Sequence, residues 1–126
     1  MSVEEMYEDF RSQYPEWTKS ADARHIEILG AGEAEGAFLW FESLASALNA
    51  QMGIPEKRAE ISVIFRYFEK CFCIGSNEVR KCIDVSFVEN LFWDVRPNNA
   101  IPAWADLPKK LQQLYVDFHS QPPKLD

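Results

Sequence analysis

The chain has 126 residues, 47% of them apolar and 13% aromatic, which is enough for one real core and too little for two. That apolar share excludes a disordered chain, and the lack of any long uncharged apolar run excludes a membrane-spanning helix. Thirteen Lys and Arg against twenty Asp and Glu leave a net charge of −7, which argues against direct binding to nucleic acid. The acidity is local. Residues 1–42 hold ten acids and three bases, whereas residues 43–126 hold ten of each. The first third therefore carries the whole excess, a field suited to a basic partner. The start is acidic and has no apolar stretch, so a cytoplasmic protein is expected. Three cysteines (Cys71, Cys73 and Cys82) make an odd count among apolar neighbours, which predicts buried free thiols in a reducing compartment. Their spacing is not that of a zinc site, and no metal or cofactor is expected.

Along the chain, Ser2-Val3-Glu4-Glu5 is a capping box. Val3, Met6, Tyr7 and Phe10 follow at helical spacing, so a first helix is predicted over 2–14, ended by Pro15. Glu16 to Gly32 has no clear period, and His25 to Leu29 reads as a short extended segment. A second helix is expected over 33–52, stopped by Gly53, with Trp40, Phe41, Leu44 and Leu48 on its stripe. Pro55 opens a third over 55–74. Its stripe of Ile61, Ile64, Phe65, Phe68 and Cys71 is widened by Val63 and Tyr67, which predicts a central helix. A fourth is predicted over 77–95, capped by Ser76 or Asn77.

Arg96 to Trp104, with Pro97 and Pro102, reads as an irregular connection held down by Ile101 and Trp104. A fifth helix over 107–120 buries Leu111, Leu114, Tyr115 and Phe118, and Pro122-Pro123 leaves a frayed tail. The expected fold is all-α: one domain over 1–126, a compact bundle of about five helices. Its third and fourth helices should form an antiparallel pair, and the opening Asn77-Glu78-Val79-Arg80 is similar to the second helix of a HEAT-type repeat.

Four stretches carry a wider resemblance: Phe10 to Trp17 (FRSQYPEW), Phe38 to Leu48 (FLWFESLASAL), Phe65 to Leu91 (FRYFEKCFCIGSNEVRKCIDVSFVENL) and Leu107 to His119 (LPKKLQQLYVDFH). In these the chain resembles a family of small bacterial all-helical proteins of unknown function, associated with candidate immunity proteins of polymorphic toxin systems. The most specific part is NEVRK followed by SFVENL at fixed separation. The resemblance implies a cognate protein toxin as partner.

No nucleophile elbow, phosphate loop or partnered general base occurs, so the chain is not expected to be an enzyme. Glu89, embedded in an apolar run, is read as an acid paired with Arg66 or Arg80. The expected function is occlusion of a toxin, such as a basic nuclease or a nucleotide-using transferase, by acids that mimic phosphate and by aromatic anchors. The residues assigned to that surface are Glu16, Trp17, Asp22, Glu27, Glu33, Glu35, Trp93 and Asp94. The competing reading is a helical scaffold or adaptor within a larger assembly, with neither toxin nor membrane involved.

Overall fold

The computed structural model describes residues 1–29 and 36–126. They form seven α-helices and no strand, so the all-helical expectation holds while the number of helices rises from about five. The Gly30 to Gly32 stretch and the expected second-helix start at Glu33 lie outside the described residues.

Helix α1 (Val3–Gln13) begins with the full capping box: Glu5 N–H donates to Ser2 Oγ and Ser2 N–H to the Glu5 carboxylate. Pro15 ends it but also starts another, because proline's fixed φ and missing N–H suit a first helical position. The result is α2 (Pro15–Leu29), running through the segment expected to be extended. Its inner face is Trp17, Thr18, Ala21 and His25, while Ile26 and Ile28 are exposed. Two polar residues on the buried side hide the helical period, and the exposed isoleucines imitate a strand.

Helix α3 (Ala37–Gln51) is the central element, burying Trp40, Phe41, Ser43, Leu44, Ala45, Ala47 and Leu48. Its most extensive partner is α2. At its end Gly53 lies against the Asn99 side chain, which would have to shift to admit a Cβ, 2.5 Å from its Nδ2. A single 3₁₀ turn (Pro55–Lys57) leads into α4 (Arg58–Ile74), and the two together span the expected third helix, whose first three residues are thus 3₁₀. That helix is not central. It buries Ile61, Ile64, Phe65, Phe68 and Cys71, but Val63 points to solvent.

After Gly75 the chain turns into α5 (Asn77–Cys82), capped by the Ser76 hydroxyl accepting from Val79 N–H. Arg80 reaches back across the turn and donates from Nε to Phe72 C=O at 3.0 Å. The expected regular helix over 77–95 then changes character. Ile83–Phe87 is a π-helical turn and Val88–Asn90 a 3₁₀ turn, and the helix stops there. This stretch rests mainly on α3 rather than α4.

The expected irregular connection is α6 (Pro97–Asp106), with Pro97 at its first turn and Pro102 inside. Ala100 and Ala103 are buried, Trp104 is half-buried, and Ile101 is exposed instead of pinning the segment. Last, α7 (Lys109–His119) buries Leu111 and Tyr115 but exposes Phe118. The tail is not frayed, because Pro123 is buried and Leu125 packs on the core.

Phe68 stands at the middle of the core. Its ring lies 5.8 Å from Phe10, 5.7 Å from Phe41 and 4.1 Å from Phe87, so one side chain joins α1, α3, α4 and the π turn. Cys71 and Cys82 are buried as expected, and burial pushes the Cys82 thiol up to about 12. Cys73 departs from expectation and is exposed, because it falls on the outer side of α4.

Candidate functional site

The most unusual geometry lies where the chain leaves the 3₁₀ turn. Phe92 has φ 67° and Asp94 φ 55°, two non-glycine residues in the left-handed region on either side of Trp93. Such backbone is unfavourable and persists only where surrounding contacts hold it. Here they are specific. Asn49 of α3 donates from Nδ2 to Asn90 C=O at 2.9 Å and accepts the Phe92 N–H on Oδ1 at 2.8 Å. Asn90 in turn donates to Ser86 C=O at 2.8 Å, closing the turn from the other side. The Phe92 ring is drawn inward, edge-on to Trp104 and Tyr115 at 5.7 and 5.5 Å. With its neighbour anchored inside, Trp93 projects outward and is 80% exposed.

Beside Trp93 a groove of about 150 Å³ runs between α2, α3 and the turn. Ile28 and Leu39 give it an apolar wall, and Glu42, Ser46, Asn49 and Asn90 a polar one. Burial pushes the Glu42 carboxyl above its ordinary value. Arg24 closes one rim, donating from Nε to Ser46 Oγ at 2.7 Å and pairing with Glu27 at 3.0 Å. Behind the groove, His25 Nδ1 meets Ser43 Oγ at 2.8 Å, both side chains buried between α2 and α3. The groove thus sets an exposed aromatic beside an apolar wall and one carboxylate, Glu42.

The residues expected to form one surface are not brought together. Glu16 is exposed at the start of α2, within 3.8 Å of Lys19. Glu27 lies eleven residues further along the same helix, a rise of about 16 Å. Trp17 is a correction: only 5% exposed, it belongs to the inner face of α2, with Lys57 Nζ 5.9 Å from its ring. Asp22 is half-buried, and its carboxylate is engaged by neighbouring side chains. It accepts from Arg11 at 2.9 and 3.1 Å and from Trp40 Nε1 at 2.8 Å. Burial works to raise its carboxyl, but the Arg11 and Trp40 bonds outweigh this and hold it below the ordinary value. Asp94 is exposed beside Trp93. Glu33 and Glu35 lie outside the described residues.

Glu89 forms no ion pair with Arg66 or Arg80, whose bonds go to Ser62 and to Phe72 and Asn77. Burial and the nearby Asp84 push its carboxyl up, while its backbone carbonyl accepts from His119 Nε2 at 3.0 Å. Among the described residues no group of three or more His, Cys, Asp or Glu could hold a metal ion. The same residues hold no helix long and apolar enough to cross a membrane. The sequence did not point to Asn49, Glu42 or Ile28. An asparagine inside the apolar run of α3 was the one available signal, because a buried amide there needs partners.

The described residues form a small all-helical domain with a groove beside Trp93. The chain belongs to the family described as domain of unknown function (DUF7674), whose model matches residues 7–121. No curated protein and no solved structure matches it.

Proposed function

We propose that the chain is a binding protein, not an enzyme, that occludes a protein toxin through the groove at Trp93. One observation carries the binding part: an 80% exposed tryptophan held out by a strained turn that Asn49 clamps in place. A large aromatic carried on backbone that is already held loses less entropy on binding than one on a free loop, which is what an interface anchor requires. Glu42 at the groove, Glu27 near its rim and Asp94 beside the anchor suit a basic rim around the pocket that receives Trp93. The choice of a toxin rests on the resemblance to candidate immunity proteins, and a basic active cleft, as in a nuclease or nucleotide-using transferase, matches these acids. A cytoplasmic location fits the same reading.

The test is capture from native lysate with the tagged chain and with Trp93→Ala, followed by expression of any captured partner alone. We expect one stoichiometric partner, retained by the parent and lost by the variant, that is toxic alone and harmless when co-expressed with the parent. A partner held equally by Trp93→Ala overturns the assignment of the site. A non-toxic set of subunits from one assembly overturns the toxin and favours the scaffold.

A further inference from the structure

A second surface, on α4, has the opposite chemistry. Ile61, Ile64, Phe65, Phe68 and Cys71 turn inward. On the other side Ala59, Val63, Arg66, Lys70 and Ile74 recur at 0, 4, 7, 11 and 15, a continuous outer stripe. Val63 is 40% and Ile74 62% exposed, so the helix shows apolar surface on both sides. The stripe holds no carboxylate.

Its cations differ from those at the base of the helix. Lys57 pairs with Glu60 at 3.5 Å and Arg58 with Asp106 at 2.8 Å. Among the described residues Arg66 and Lys70 meet no carboxylate; Arg66 donates only to Ser62 Oγ, on its own helix. Asp106 shares a trough with Arg66, but it is bonded to Arg58, and its carboxyl is held down first by that bond and only partly by the Arg66 charge. In a chain of net charge −7, neither Arg66 nor Lys70 thus has an ion-pair partner of its own among the described residues, and both can meet a carboxylate from elsewhere.

The surface is also concave. A trough of about 490 Å³ lies between α1 and α4, with Tyr14 and Tyr67 along it. The acid in that trough is already engaged, since Asp9 accepts from Tyr67 Oη at 2.6 Å and Gln13 Nε2 at 2.8 Å. A second trough of about 480 Å³, towards Pro55, shares Val63 and Arg66 with the first. From Ala59 to Ile74 the stripe rises about 22 Å, the length of four helical turns.

We propose that the outer face of α4 docks an acidic amphipathic helix of a partner protein. Its apolar side covers Val63 and Ile74, and its carboxylates meet Arg66 and Lys70. Helix-in-groove recognition uses this combination of spaced apolar anchors and flanking charge. The surface is separate from the Trp93 groove, so either assignment can fail alone.

The test uses the full chain, labelled with an environment-sensitive dye at the exposed Cys73, beside the stripe. The probe is a designed helical peptide of about sixteen residues, with leucines on one face and glutamates along both edges. A matched peptide with lysines at the glutamate positions is the control. We expect a saturable dye response to the glutamate peptide and affinity about tenfold weaker for the lysine peptide. Arg66→Glu with Lys70→Glu should invert that preference, Arg66→Gln with Lys70→Gln should abolish it, and Trp93→Ala should leave it unchanged.

Equal binding of both peptides, no saturable response, or an unchanged preference in the double variants overturns the proposal. So does a dimer of the parent chain by sedimentation that the double reversal dissociates, since the occupant is then a second copy.

Discussion

Helix α4 and the segment that follows it, Asn77 to Asp94, are both rich in apolar residues, yet they fold by different rules. The first is seventeen residues of regular α-helix; the second passes through α, π and 3₁₀ turns into left-handed backbone. The difference lies in how many sides each must bury. With one face in the core and one in water, α4 needs only the ordinary helical period. The later segment buries Val79, Cys82, Ile83, Ser86, Phe87, Val88, Leu91 and Phe92, which lie all round a helix. Packed on α3 and met by α7, it widens and then tightens so that each side chain finds its place. The regular helix presents a stripe, whereas the distorted one presents a single side chain. These are the two surfaces assigned above.

The sharpest way to break the comparison is to cut the contact joining the two regions. Phe68→Ala removes the ring that packs on Phe87 and should lower stability by about 3–5 kcal/mol in urea unfolding. A loss below about 1 kcal/mol would mean that the aromatic contact does not couple them. Asn49→Ala should cost about 2–3 kcal/mol, because the Asn90 carbonyl and the Phe92 amide both lose their partner. Hydrogen exchange should then rise at residues 91–95 while α4 stays protected.

The alkaline limb gives a third test. The folded Cys82 thiol titrates near 12 against an ordinary 9, so the unfolded chain loses its proton first. Stability is therefore complete below about pH 9 and falls as pH rises towards 12. Cys82→Ala should flatten that fall relative to the parent in unfolding measured across this range. The smallest effect is expected at Trp93, where Ala should change stability by no more than about 0.5 kcal/mol while abolishing partner capture. A larger loss would make Trp93 part of the core and not an anchor.

Elements that announce themselves locally were legible in the sequence. The capping box of α1, Pro55 before α4 and the Ser76 cap of α5 are each set by a few adjacent residues. Helices α2 and α6 were missed for a shared reason. The buried face of α2 mixes Trp17 and Ala21 with the polar Thr18 and His25, and that of α6 is built on the small Ala100 and Ala103, so neither shows the apolar contrast that marks a helix. At the site, Trp93 was legible only as an aromatic beside an acid, and by that criterion Trp17 was an equal candidate.

From the sequence alone came the all-helical character, the end of α4, the placement of most of the core and the acidity of the first third. Helical period and capping chemistry act over four residues or fewer, and these features need nothing more. Only the tertiary structure decided that Trp17 is covered and Trp93 bare, that Asp22 is spent on Arg11 and Trp40, and that Val63 faces water. Period tells which residues share a face of a helix. Which face a neighbour covers depends on elements distant in the chain, and so does the hold of Asn49 on a strained turn some forty residues away.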